Sequence, residues 1–203
     1  FLPRSIMNLR RDLRYLYEWV PPRSRVLDLG CGDGALLATL TYEKDCVGYG
    51  VEINSTQVLN AMAKGVNVLS GDIDHGLDFF KDNQFDIVIL SQTLQAMQNI
   101  ETILQEMLRV GKEAVVSFPN FAYWRNRMQL NFTGRMPISE SMPYRWYNTP
   151  NIHWCTIKDF ETLCHDNKIA LLKRMVLTKG RPVRFLSNLR GSLAVYRLGR
   201  HGS

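Results

Sequence analysis

The sequence predicts an α/β fold, a doubly wound and mostly parallel seven-stranded sheet with an antiparallel edge strand. Three observations predict it. The apolar run Arg25-Val26-Leu27-Asp28-Leu29 leads straight into the glycine turn Gly30-Cys31-Gly32-Asp33-Gly34 and a helical stretch over residues 35–40. Strand, glycine turn, helix is the opening unit of a sheet that binds nucleosides or dinucleotides. Strand-like and helix-like runs then alternate as far as Phe118, which implies parallel strands with ligands at their carboxyl ends. Residues 169–177 and 192–198 are two strand-like runs with no helix between them, as an antiparallel pair closing the sheet requires. At this length one domain is the default, so residues 1–203 are read as a single unit.

Ahead of the first strand, Ile6, Leu9, Leu13, Leu16 and Tyr17 recur at helical spacing with Arg10, Arg11 and Arg14 between them. The pattern predicts an amphipathic leading helix over residues 5–20, within 1–22, stopped by Pro21-Pro22. Such a helix either covers the mouth of the site or simply packs. Cys46-Val47-Gly48-Tyr49-Gly50-Val51 is the second strand and ends at Glu52. Asn54-Ser55-Thr56 opens a helix through Met62, with Gly65 as its stop. Residues 66–69 form the third strand, ending at Gly71-Asp72, and residues 85–90 the fourth, which delivers Ser91 and Gln92. Ile100, Ile103, Leu104, Met107 and Leu108 mark the next helix, and residues 114–118 the fifth strand. Residues 119–155 are too long for an ordinary connection and are read as an aromatic-rich insertion or lid. They hold Phe121, Tyr123, Trp124, Phe132, Tyr144, Trp146, Tyr147 and Trp154, with Arg125, Arg127, Arg135 and Arg145 among them. Core packing of these rings is the plain reading; a binding surface is the sharper one. Thr156-Ile157-Lys158-Asp159 is a capping box that restarts a helix.

Composition narrows the function. No apolar run approaches the roughly 18 residues of a membrane span, and Phe1-Leu2-Pro3-Arg4 does not open a charged-then-apolar leader. A cytoplasmic protein with no membrane contact is expected. Cys31, Cys46, Cys155 and Cys164 show no C-x-x-C pairing and are expected as reduced thiols. His75, His153, His165 and His201 are scattered, so no metal is expected, and no serine-nucleophile motif is present. The net charge is +6, and from Lys158 onward basic residues outnumber Asp159, Glu161 and Asp166. That excess is solvated surface or a contact for an acidic partner. Nothing resembles a nucleic-acid module, so no nucleic acid is expected.

The glycine turn fits two patterns. Gly30, Gly32 and Ala35 match G-x-G-x-x-G/A, whereas Gly30, Gly32 and Gly34 match G-x-G-x-G with Asp28 two positions ahead. A carboxylate beside a diphosphate is repulsive; beside an ammonium or sulfonium it is favourable. Here the sequence resembles the class I S-adenosylmethionine-dependent methyltransferases, a Rossmann-like group whose first motif reads like V-L-D-L-G-C-G-x-G. Asp28 and the closing antiparallel pair count against a nicotinamide-dependent oxidoreductase. Glu52, at the tip of the second strand, suits a carboxylate accepting two hydrogen bonds from vicinal ribose hydroxyls. The resemblance puts Asp72 against the adenine amino group, the Ile73 N–H at the ring, and Ser91 and Gln92 along the methionine side. Gly30, Cys31, Gly32 and Ile53 complete the expected cofactor set, for S-adenosylmethionine or S-adenosylhomocysteine.

Leu90-Ser91-Gln92-Thr93-Leu94-Gln95, Val116-Ser117-Phe118-Pro119-Asn120-Phe121 and Tyr147-Asn148-Thr149-Pro150-Asn151-Ile152-His153 are similar to the MetW family of methionine-biosynthesis proteins, from about Leu9 to Leu198. That resemblance implies a methyltransferase-like protein working beside a homoserine O-acyltransferase partner. Two functions follow. One is a cofactor-binding module that assists or regulates the acyltransferase. The other is an active methyltransferase on an unknown acceptor, positioned for in-line transfer without a catalytic base. No catalytic residue is assigned; Tyr147, Asn148 and His153 are the candidates for an acceptor pocket, with His153 as a base.

Overall fold

The computed structural model describes residue 6 and residues 9–200. Helix α1 (Arg11–Trp19) precedes β1 (Arg25–Leu29), and α2 (Ala35–Lys44), β2 (Val47–Glu52), α3 (Ser55–Ala63) and β3 (Asn67–Ser70) follow in strict alternation. A single 3-10 turn, Ile73–His75, leads towards β4 (Phe85–Ser91), and a second, Leu94–Ala96, towards α4 (Ile100–Val110) and β5 (Gly111–Pro119). Then come α5 (Trp124–Thr133), α6 (Ile157–Asp166), β6 (Ile169–Thr178), β7 (Arg181–Pro182), α7 (Ser187–Arg190) and β8 (Leu193–Arg200).

The strands form one sheet in the order β3-β2-β1-β4-β5-β8-β6-β7. Pairings among β1 to β5 are parallel, while β8 runs antiparallel to both β5 and β6. The sheet has eight strands, not seven. The extra one, β7, is two residues paired back onto the end of β6, too short to leave a period-2 pattern. β1 and β4 are neighbours although the chain leaves them in opposite directions, so the crevice at their carboxyl ends is the topological switch point.

Apolar clusters cover both faces. One packs Leu16, Trp19, Leu37 and Leu40 against Val26 and Ile89. The other packs Leu104, Met107 and Phe160 against Leu27, Val88 and Tyr196. Because both faces are covered, β1 and β4 are buried almost throughout, which is why they read as continuous apolar runs. Gly48 and Gly50 let α2 lie close on β2. A Cβ at Gly50 would fall 2.4 Å from Cys31 Sγ, and one at Gly48 would fall 3.0 Å from Leu37.

The caps behave as their residue types dictate. The Asn54 side chain accepts from Thr56 N and Gln57 N, and Thr156 with Asp159 forms the reciprocal capping box of α6. The leading helix is shorter than expected. Arg10 is extended (φ −52°, ψ 147°), so α1 begins at Arg11; of the expected span ahead of it, residues 5, 7 and 8 lie outside the described residues, as does His201.

The 119–155 insertion is not all loop. It contains α5, which ends at Gly134 (φ +61°) with Gly134 N donating to Leu130 O. Only Asn126 of that helix is buried, so it carries no apolar stripe for the sequence to display. Fully buried Asn120 anchors both ends of the insertion. Its Nδ2 donates to the carbonyls of Asn188 and Gly191, and its Oδ1 accepts from Ala122 N and Ile157 N.

Candidate functional site

β1, β2 and β3 end side by side, with Leu29 level with Val51 and Glu52 level with Ser70. The expected residues therefore meet at one sheet edge. Gly30, Gly32 and Gly34 all have positive φ (70°, 55° and 70°), conformations that glycine adopts without strain. They differ in what surrounds them. A Cβ on Gly30 would meet Thr93 Oγ1 at 2.8 Å, and one on Gly34 would touch Ala61 and Val66 at 3.0 Å, but one on Gly32 would have nothing within 4 Å. Gly30 and Gly34 thus serve chain packing, and Gly32 faces open space.

Glu52 clasps this turn. Its Oε2 accepts from Gly32 N and its Oε1 from Asn54 N, both at 2.9 Å. A carboxylate has further lone pairs, so these bonds orient the group without exhausting it. Cys31 packs under the turn, and burial pushes its thiol up to about 12, far from reactivity. Asp33 pairs with Lys64 and accepts from Ala35 N at the start of α2. The Lys64 bond holds its carboxyl below the ordinary value.

Asp28 is the anomaly. It is 4% exposed and its Oδ1 has no hydrogen-bond partner. Burial pushes its carboxyl up to about 7; Arg10 opposes that rise and Glu52 adds to it. A buried unpartnered carboxylate costs stability, and the sign is set by its raised value. Folding stability is lost as pH climbs from about 4 through about 7, because the unfolded chain ionises first. The full shift corresponds to about 4 kcal/mol. Asp28→Asn removes the charge but buries an amide, so a net gain of about 1–3 kcal/mol at pH 8 is expected. The gain should vanish near pH 4. Urea melts at the two pH values check this; a variant less stable than wild type at pH 8 would mean that Asp28 has a compensating partner.

The remaining tips carry mixed duties. Ile53 leaves an apolar side chain 68% exposed beside Glu52. Asp72 caps the Ile73–His75 turn by accepting from Asp74 N at 3.0 Å, with its Oδ2 3.3 Å from His75 Nδ1; Ile73 is buried beneath it. Ser91 Oγ lies 3.2 Å from Ser117 Oγ. Gln92 has φ +54°, an unusual conformation for a residue other than glycine. Its N–H donates to Ser117 O, and its Nε2 donates to Asp12 Oδ2 at 2.6 Å.

Gln92 also lines a neighbouring cleft of about 720 Å³, together with Asp12 of α1, Tyr123, Arg125, Asn126 and Lys179. Neither Asp12 nor Asn126 carries a local sequence signal, because each is one polar residue among several in a stretch read for its apolar, aromatic or basic members. Tyr147, Asn148 and His153 are not brought to this cleft. Tyr147 is 61% exposed and accepts from Arg145 Nη1, while His153 lies against Gln98 O and its N–H donates to Gln95 O. Among the described residues, no group of three or more His, Cys, Asp or Glu could hold a metal, and no helix is long and apolar enough to cross a membrane.

The sequence profile described as "Methionine biosynthesis protein MetW" matches residues 10–198. The chain belongs to the MetW family. A curated relative, the bifunctional methionine biosynthesis protein MetXA/MetW of Rhodopirellula baltica, is 41% identical over 168 residues, covering 78% of this chain and 27% of the relative. This MetW-family chain thus spans about a quarter of that protein. Solved structures of similar fold are S-adenosylmethionine-dependent methyltransferases. One from Mesorhizobium loti superposes with a TM-score of 0.71 at 15% identity, covering 96% of this chain and 100% of that one. A possible histamine N-methyltransferase from Thermotoga maritima gives 0.66 at 19% identity, covering 93% and 87%. The magnesium protoporphyrin IX methyltransferase of Synechocystis, solved with bound S-adenosylhomocysteine, gives 0.68 at 14% identity, covering 94% and 82%. At such identities the likeness shows the fold: this MetW-family chain has the class I methyltransferase fold.

Proposed function

We propose that this chain binds S-adenosylmethionine or S-adenosylhomocysteine at the tips of β1 to β4 and, so loaded, assists or regulates a homoserine O-acyltransferase. The observation that carries the cofactor is Asp28: a buried carboxylate whose Oδ1 lacks a partner, beneath a turn whose Gly32 faces open space. An ammonium group supplies the hydrogen-bond donor that oxygen lacks, and a sulfonium supplies a compensating positive charge. Glu52 would take the ribose hydroxyls, Asp72 and Ile73 the adenine, Ile53 the ring face, and Ser91 and Gln92 the methionine side. The bound group would supply a positive sulfonium or, after demethylation, a neutral thioether, so the site could distinguish the two through Asp28. The fused MetXA/MetW relative supports the partner, since joining two proteins in one chain raises their effective concentration for each other. The exposed aromatics of residues 121–147 are the surface assigned to that contact.

Calorimetric titration tests the cofactor. Glu52→Ala removes the ribose acceptor and also frees Gly32 N, so binding should weaken by roughly 1.5–3 kcal/mol, about 10- to 150-fold. Tighter binding of NADH than of either sulfur ligand would sink the assignment. Acyl transfer by the purified acyltransferase, with and without this chain and the cofactor, tests the partner role. One observation favours a second reading, methyl transfer to an acceptor: the cleft that meets the expected methionine side at Gln92. Release of S-adenosylhomocysteine in the presence of an acceptor would put that reading first.

A further inference from the structure

The cleft at Gln92 has a chemistry of its own. Its walls come from α1, the start of α5, residues 138–141, the β6–β7 turn and the start of β8, and none of the glycine turn, Asp28, Glu52 or Asp72 belongs to them. Four cations line it, Arg10, Arg11, Arg125 and Lys179, against the acids Asp12 and Glu140. Asp12 is already engaged by Gln92 Nε2 and by Arg10 at 3.4 Å, and Arg11 donates to Lys179 O at 2.7 Å. Arg125 and Lys179 ion-pair with no carboxylate among the described residues; Arg125 only stacks 5.4 Å from the Trp124 ring centroid.

Two further features point to a ligand. Helix α5 presents its first turn to the cleft through Arg125 and Asn126, with no side-chain cap at Tyr123 and no acid in that turn. Its positive end therefore adds to the cations. Asn126, 1% exposed, lines the same cleft, and its Oδ1 has no hydrogen-bond partner. The amide cannot turn round to cure this, because its Nδ2 faces the carbonyls of Asn120 and Phe121 at 3.4 and 3.2 Å. A buried acceptor without a donor is costly, and a ligand carrying an N–H or O–H would relieve it. Tyr123, Ile138, Leu177 and Leu193 give the cleft apolar wall as well.

We propose that this cleft is a second ligand site, for a small α-amino or α-hydroxy carboxylate with an apolar tail. The carboxylate faces Arg125, Lys179 and the α5 N-terminus, and the ammonium or hydroxyl donates to Asn126 Oδ1. The proposal does not rest on cofactor binding at the glycine turn.

L-Methionine is a suitable probe, with 4-(methylthio)butanoate (no donor) and 3-(methylthio)propylamine (no carboxylate) as matched analogues. Calorimetry should show L-methionine binding, and each analogue should bind about tenfold more weakly or worse. Arg125→Gln and Lys179→Gln, both at exposed positions, should each weaken L-methionine by about tenfold, and saturating S-adenosylhomocysteine should leave its binding unchanged. No detectable L-methionine binding overturns the site. So does an amine analogue that binds as well as L-methionine, or displacement of L-methionine by S-adenosylhomocysteine with wild-type affinity in the Arg125 and Lys179 variants.

Discussion

A Gly32→Val variant is expected to lose S-adenosylmethionine and S-adenosylhomocysteine binding below detection while still unfolding cooperatively. Beyond its chain neighbours, nothing lies within 4 Å of the Cβ that the substitution adds, so no packing clash opposes it. On the proposed reading, that space is where the cofactor approaches the backbone. Val at φ +55° is strained by about 1–3 kcal/mol, a cost that lowers the melting temperature by roughly 2–12 °C in a chain of this size without abolishing the fold. Gly34→Val is the informative contrast. There the Cβ would already press on Ala61 and Val66 at 3.0 Å, so stability should fall further. Circular dichroism melts and calorimetry on both variants check the pair. Wild-type affinity in Gly32→Val would remove the glycine turn from the cofactor site.

The strands and the glycine turn were legible because central parallel strands are buried on both faces and must be apolar, and because Asp28, Glu52 and Asp72 fall at consecutive strand tips. The second task of Glu52 was not legible. Its bond to Gly32 N joins the end of β2 to the turn after β1, and only the parallel register of β1 and β2 brings them together. The cleft was hidden for the same reason. Asp12, Gln92, Asn126 and Lys179 come from four separated segments, and none carries a spacing that marks it. Helix α5 escaped because its apolar residues are distributed around it rather than along one face; only Gly134, its terminator, gave a local sign. β7 and α7 are set by how the 179–191 connection folds back onto Asn120, a tertiary cause without a sequence period.

The second large effect is expected at the proposed acyltransferase contact. Trp146 and Phe132 are each 73% exposed, and Trp124 and Tyr144 are 43% and 48% exposed on the same insertion. Large rings left in water lower the free energy when a partner covers them, and Trp with Arg is the composition of interface anchors. Arg145 fixes Tyr147 through its hydroxyl at 3.1 Å, and Trp146 meets the Tyr147 ring edge-on at 5.7 Å, so part of this surface is already ordered and loses little entropy on binding. Trp146→Ala and Phe132→Ala should each weaken capture of the homoserine O-acyltransferase by about 2 kcal/mol or more, roughly 30-fold. Cofactor binding should be untouched, since neither residue lies at the strand tips. The nearby basic residues should make the wild-type contact weaken with salt, because charges screen over about 8 Å at physiological ionic strength. The β3 side of the molecule supplies the control, where Leu69 of β3 and Tyr42 of α2 are also exposed. If Tyr42→Ala or Leu69→Lys releases the partner while Trp146→Ala and Phe132→Ala retain it, the contact runs along α2 and β3 instead. Loss of partner and of its stimulation in the insertion variants, with cofactor titrations unchanged, is the expected result.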